Sequence, residues 1–365
     1  MPFTQYYHTG NNKFENLFKA FDSYKQTGDE ISYHVDDEFV ASIAGCKRPK
    51  DTSQKAIINL MIKGLRQLRA KHTKLRLALG GGTDSWTILK LCIENKIYLD
   101  EVVCGLVSFF GNVRADLEYL PALKYAESHE GIGIGKVKSV LPTKESLQFI
   151  NDSDWYKNTN GPQLPIRPFF CELGKPIMND PTSEYINITG IDKPTVIVEQ
   201  GQPYWSLIDL KSIGEWMGIR NHCPLFYDSD NPELTVAMTY SFIDNLQDIS
   251  KDGVYEFETI EDRKTKDTIL ESFGMRLNKP WLNHHFLGKK KFNWNSKTKL
   301  FLKELGQIGE SDYLDKWYKS METITKNYKD IPHGIEVDGK HVKTVGRFSQ
   351  RVPILEQGFG KEYKS

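Results

Sequence analysis

The stretch Leu75-Arg76-Leu77-Ala78-Leu79-Gly80-Gly81-Gly82-Thr83-Asp84-Ser85-Trp86 constrains the fold more than any other part of the chain. Leu75, Leu77 and Leu79 alternate with Arg76 and Ala78, which is the period of a strand, and the run stops at three glycines. Trp86, Ile88, Leu89, Leu91, Cys92 and Ile93 then predict an apolar helix, with Asp84 or Ser85 as its cap. A strand, a glycine turn and a capped helix make an anion-binding geometry. Residues without Cβ let the backbone approach a ligand, and the first N–H groups and the positive end of the helix dipole face it.

The form of the turn narrows the ligand. The chain has no G-x-x-x-x-G-K-[ST], and no G-x-G-x-x-G follows a strand. Instead Gly80-Gly81-Gly82-Thr83-Asp84-Ser85 resembles the S-G-G-x-D-S signature of the PP-loop ATP pyrophosphatases, the superfamily of asparagine synthetase, GMP synthetase and the tRNA-modifying ligases. A bare three-glycine turn would suit any α/β domain; Asp84 and Ser85 at this offset, after an apolar strand, carry the likeness. The resemblance implies that residues Gly80 to Ser85 hold the β and γ phosphates of ATP while the α phosphorus is attacked. Pyrophosphate then leaves and AMP passes to a substrate oxygen. It also implies Mg2+, with Asp84 as a ligand. One departure is plain: the family's first serine is Gly80 here, which removes a hydroxyl from the cradle.

Further strands are expected around this loop. Val102 to Phe110 is a continuous apolar run and predicts a second, buried parallel strand that completes a βαβ unit. The resemblance places Ser108 and Phe109 at its end beside the adenosine; a core role for Phe109 and Phe110 fits equally well. Lys136 to Leu141 predicts a third strand, and Tyr185 to Gly190 another that ends in glycine. Ligands gather at the carboxyl ends of such strands, which brings Gly190, Asp192 and Lys193 towards the glycine loop. Asparagine synthetase-like members carry an acidic turn here. The likeness therefore implies Asp192 as a second Mg2+ ligand and Lys193, with Asp84, as a catalytic group at the α phosphate. An ordinary strand-ending turn is the other reading.

Outside the nucleotide-binding region the patterns are coarser. Phe14, Leu17, Phe18 and Phe21 have helical spacing, and Ile31–Val35 and Phe39–Ile43 read as two short strands around Asp36-Asp37-Glu38. Residues 53–71 predict an amphipathic helix with Ile57, Ile58, Met61, Leu65 and Leu68 inward. Arg114 to Glu130 reads as helix with a kink or break at Pro121. Residues 142–184 read as an irregular, substrate-side excursion. Residues 196–208 predict a hairpin, and Asn231-Pro232-Glu233 starts a helix to about Asp248. Phe226 to Glu233 also resembles a stretch of phage-encoded PP-loop proteins. Helices are expected at 260–273, 297–305 and 311–328, and a hairpin around Asp338-Gly339. The expected divisions are 1–74, a helical and short-strand region; 75–250, the nucleotide-binding domain; and 251–365, a helical region with a terminal hairpin.

Composition bounds the partners. Lys plus Arg equals Asp plus Glu at 48 each, so no global field draws the chain to nucleic acid or membrane. A small-molecule substrate is expected ahead of nucleic acid. The five cysteines, Cys46, Cys92, Cys104, Cys171 and Cys223, form no C-x-x-C, which fits reduced thiols. No basic region followed by an apolar core opens the chain and no 18-residue apolar run occurs, so a cytoplasmic protein is expected. Pro2 stands where glutaminase-bearing relatives need cysteine, so no attached ammonia-generating domain of that type is expected. The expected fold is α/β, a mostly parallel sheet with helices on both faces, followed by a mainly helical C-terminal region. The expected activity is that of an AMP-forming, ATP-dependent ligase or amidotransferase. A base-modifying enzyme of the same superfamily and a non-catalytic nucleotide-binding or assembly protein are the alternatives.

Overall fold

The computed structural model describes residues 5–14, 17–29, 31–35, 37–80, 83–105, 119–140, 145, 148, 182–190, 195–199, 202–206, 221–228, 230–250, 333–337, 340–344 and 351–353. Antiparallel strands β1 (Gln5–Thr9), β2 (Asn12–Phe14) and β3 (Ile31–Val35) pair in the order β2-β1-β3, with helix α1 (Leu17–Thr27) between the last two. Tyr7 and Thr9 are buried, and the Thr9 hydroxyl donates to the Ala20 carbonyl of α1 at 3.2 Å. The helix expected from Phe14 onward thus begins at Leu17, and Phe14 closes β2. A second expectation is overturned. Phe39–Ile43 is no strand but lies in helix α2 (Asp37–Ala44). Asp37 and Glu38 occupy its first turn, where carboxylates complement the helix dipole, and Phe39 and Ile43, four residues apart, are both fully buried.

Helix α3 (Gln54–Lys71) follows, with Ser53 as its N-cap: the Ser53 Oγ accepts the Ala56 N–H at 3.3 Å. Its buried stripe is Ile57, Met61, Leu65 and Leu68, with Ile58 at the margin. The chain then builds β4 (Lys74–Leu79), α4 (Thr83–Glu94), β5 (Leu99–Gly105), α5 (Tyr119–Glu127), β6 (Ile134–Val140) and β7 (Tyr185–Thr189). After the hairpin of β8 (Thr195–Glu199) and β9 (Gln202–Ser206) comes β10 (His222–Pro224). Strands β10, β7, β4, β5 and β6 form one all-parallel sheet in that order. The fold is therefore α/β. Counting from β4, the winding runs through β5 to β6 and then resumes on the other side with β7 and β10, the order of an open doubly wound sheet. Pro121 lies in the first turn of α5, where its missing N–H would have had no intrahelical partner, so no kink is needed within the helix.

Successive strand residues point to opposite faces, and both faces of the central strands are buried. Leu75, Leu77 and Leu79 of β4 fill one face, with Val102 and Cys104 of β5 beside them. The other face carries charge. Arg76 Nε donates to Glu101 Oε1 at 2.5 Å, Lys138 Nζ meets Glu101 Oε2 at 2.5 Å, and Arg76 Nη1 reaches Asn187 Oδ1 at 3.3 Å. Only 4% of the Arg76 side chain and 2% of the Glu101 side chain are exposed. The register aligns Arg76 with both Glu101 and Asn187, and Lys138 extends the contact to β6, so this polar belt crosses four adjacent strands. A buried ion pair of this kind costs desolvation that its Coulomb energy and hydrogen bonds must offset, and removing one partner typically costs about 3–5 kcal/mol.

Helix α6 (Pro232–Ser250) packs on α3. Proline at its first position follows the predicted start. Asn231 Nδ2 donates to the Leu60 carbonyl at 3.0 Å, and a Cβ on Gly64 of α3 would stand 2.7 Å from that nitrogen, so glycine clears room for the amide. Strands β11 (His333–Val337) and β12 (Lys340–Thr344) pair with Val337 opposite Lys340, as the expected hairpin requires. Strand β13 (Arg351–Pro353) joins β9, a pairing with no local signal in the sequence. The helices expected at 260–273, 297–305 and 311–328 lie outside the described residues, as does most of the excursion at 142–184. No described helix is long and apolar enough to cross a membrane.

Candidate functional site

The winding reverses between β4 and β7, and open α/β sheets bind ligands at the carboxyl ends of the strands at such a point. The expected glycine turn sits there. Strand β4 is apolar, ends at Leu79 and gives way to Gly80; helix α4 begins at Thr83. Asp84 and Ser85 are therefore first-turn residues and not the cap expected of them. Ser85, buried, accepts the Gly80 N–H on its Oγ at 3.1 Å. The loop's first amide is thus engaged by the loop's own hydroxyl. Asp84 is half-buried, with its Oδ1 buried, and stands where the helix dipole favours negative charge.

Gly190 comes to the same end of the sheet. The register sets Leu77 against Ile188, so β7 delivers Gly190 beside the turn that follows β4. A Cβ at Gly190 would stand 3.0 Å from the Asp84 carbonyl carbon, the Ser85 nitrogen and Ile88 Cδ1. Glycine at this position lets the strand end close onto the first turn of α4. Its close neighbour among the described residues is protein backbone. Gly80 is roomier. Among the described residues a Cβ there would meet Ser85 Oγ alone, at 3.9 Å, and the backbone is not in the left-handed region.

The structure thus brings Gly80, Thr83, Asp84, Ser85 and Gly190 together. Gly81, Gly82, Ser108, Phe109, Asp192 and Lys193 lie outside the described residues. Among the described residues no group of three or more His, Cys, Asp or Glu could hold a metal ion. The donors nonetheless fit Mg2+ bound with a nucleotide. That ion takes one or two protein carboxylates and draws its other ligands from phosphate and water, and Asp84 supplies a hard oxygen at the helix start.

Thiol chemistry has less support. Cys92, on α4, is fully buried, and burial pushes its thiol up to about 12. Burial, with Asp228 and Asp230 nearby, also raises Cys223 well above the ordinary thiol value. Neither is poised as a thiolate at neutral pH.

Sequence reasoning missed the polar belt on the sheet. Its signal was partial: Arg76 lies within the first predicted strand, whereas Glu101 stands just before the Val102–Phe110 run read as the second, a strand that begins at Leu99. It also missed Thr189, buried immediately before Gly190. No protein-family model, curated protein sequence or solved structure matches the chain.

Proposed function

We propose that this chain is a PP-loop-type enzyme that binds ATP at the carboxyl ends of β4 and β7 and cleaves it between the α and β phosphates. The observation that carries the reading is the meeting of the glycine turn, the α4 start and Gly190 at the reversal point of a doubly wound sheet. Helices on both faces of that sheet and a HUP-like domain belong to the same reading. The Gly80–Ser85 turn holds the β and γ phosphates through backbone amides and the Thr83 and Ser85 hydroxyls. Asp84 holds Mg2+, which neutralises the leaving pyrophosphate. Asp192 as a further ligand and Lys193 at the α phosphate complete the assignment, with Ser108 and Phe109 beside the adenosine. The fold contributes position and charge neutralisation, without a covalent nucleophile. The acceptor is a carboxylate or carbonyl oxygen of a small molecule, and an amine or ammonia completes the ligation in the cytoplasm.

Product analysis tests this. ATP turned over with a panel of carboxylate and amide acceptors should yield AMP and pyrophosphate. ADP and phosphate as the main products would overturn it.

A second reading, a non-catalytic nucleotide sensor or assembly protein, is favoured by one observation. The Gly80 amide is taken by Ser85, and the family's serine hydroxyl is missing from position 80. ATP binding without turnover would select it. A base-modifying activity draws least support, given the balanced charge and the raised thiols of Cys92 and Cys223.

A further inference from the structure

Far along the chain from the glycine loop, the β1–β3 sheet carries a compact aromatic and cationic cluster. Tyr6 pairs with His34 across β1 and β3, and His8 with Lys13 across β1 and β2, so all four lie on one face. The opposite face, with Tyr7 and Thr9, is the one covered by α1. The Tyr6 and His34 rings stack with centroids 5.3 Å apart and planes 8° from parallel. His8 lies 4.8 Å from His34 and 5.2 Å from Tyr6. Lys13 Nζ stands 3.5 Å from the Tyr6 centroid. The Tyr6 hydroxyl donates to Asp37 Oδ1 of α2 at 2.7 Å.

We propose that this cluster is an acid-sensitive latch, in which a proton on His34 loosens β3, and α2 behind it, from β1. The reason is a shortage of room for a second cation. Lys13 already occupies the Tyr6 ring, the natural platform for an imidazolium. A charged His34 would also lie against His8 and would have to share the field of Lys13. The acid acting on it is Asp37, at the start of α2, which already accepts the Tyr6 hydroxyl, and Glu38 follows Asp37 in the same first turn. Lys19 and Asp22 of α1 are exposed on the helix that covers the other face.

The electrostatics agree. Burial first, then His8, lower the His34 value below 6.5; Asp37 pulls it upward, and Lys13 adds a further, smaller lowering. A folded value below the unfolded one means that the unfolded chain binds the proton more readily. The stability His34 contributes is therefore complete above about 6.5, and is lost as pH falls through the folded value.

Hydrogen exchange on the whole chain between pH 7.5 and 5, corrected for intrinsic rates, tests the latch. At the acid end, amides of residues 5–9 and 31–35 should open at least about tenfold more than those of β4 and β5. His34→Gln should abolish that difference. Lys13 is exposed, so Lys13→Met should fold, and it should move the NMR titration of His34 upward. Uniform protection across the pH range, a His34 midpoint at or above 6.5, or a midpoint unmoved in Lys13→Met would each overturn the proposal.

Discussion

Gly190→Ala tests the contact on which the site is built. The new methyl would stand 3.0 Å from the Asp84 carbonyl carbon and the Ser85 nitrogen, both backbone atoms of a helix start, and from Ile88 Cδ1. That is tighter than most real Cβ contacts, so the end of β7 or the first turn of α4 must give by a few tenths of an ångström. Overpacking of this kind costs about 1–3 kcal/mol. Alanine recovers about 0.4–1 kcal/mol by restricting the unfolded chain, which leaves a net loss of about 1–2 kcal/mol. Urea unfolding reads this directly. Gly133→Ala is the control, because its Cβ would meet only Ile93 Cγ1 at an ordinary 3.8 Å and the change should stay within about 0.5 kcal/mol. The displaced turn also carries Asp84 and Ser85, so calorimetric affinity for Mg-ATP should fall by about tenfold or more, or about 1.4 kcal/mol. A variant with unchanged stability and unchanged affinity would refute both the contact and its bearing on the ligand.

Gly64→Ala should destabilise by about 1–2 kcal/mol, although alanine in a helix interior ordinarily gains about 1 kcal/mol, because its Cβ would stand 2.7 Å from Asn231 Nδ2. In an Asn231→Ala background the same change should become stabilising; denaturant titration of the four chains decides the sign. Gly80→Ser should leave stability within about 0.5 kcal/mol and tighten ATP by about tenfold or more, since a hydrogen bond to a charged phosphate is worth roughly 1.5–3 kcal/mol. Calorimetry that finds a stable variant with unaltered affinity would mean the hydroxyl meets no phosphate.

The elements legible in the sequence were those with one dominant local signal. The period-two run of β4, the glycines that end it and the apolar helix after them needed no tertiary information. The same holds for Ser53 and Pro232 at helix starts. Phe39–Ile43 misled because a five-residue apolar stretch fits either period; the acidic pair before it, read as a turn, was the helix start. The role of Gly190 was hidden for a different reason. Its neighbours, Asp84 and Ser85, are more than one hundred residues away in the chain, and nothing local distinguishes a glycine that ends a strand from one that admits a helix. Arg76 was equally opaque. On an alternating strand it reads as an outward residue, and only the register with Glu101 and Asn187 makes its burial tolerable.

The two glycines at this end of the sheet therefore answer different constraints. Gly190 is tightly packed against the start of α4, so packing by itself favours glycine there whether or not a ligand binds. No described residue crowds a Cβ on Gly80, and its backbone would accept serine, so the described residues do not dictate the absence of a hydroxyl there. What occupies its place is Ser85, whose Oγ takes the Gly80 N–H. A phosphate that sought that amide would have to displace an internal hydrogen bond worth about 0.5–1.5 kcal/mol net, whereas the charge-assisted bond it gained would be worth roughly 1.5–3 kcal/mol. The exchange favours the ligand, and it releases the Ser85 oxygen to turn its own hydroxyl towards the phosphate. Closure of the turn on itself is thus compatible with a site that opens on binding, and under the proposed reading the absent hydroxyl would weaken a phosphate cradle without dismantling it.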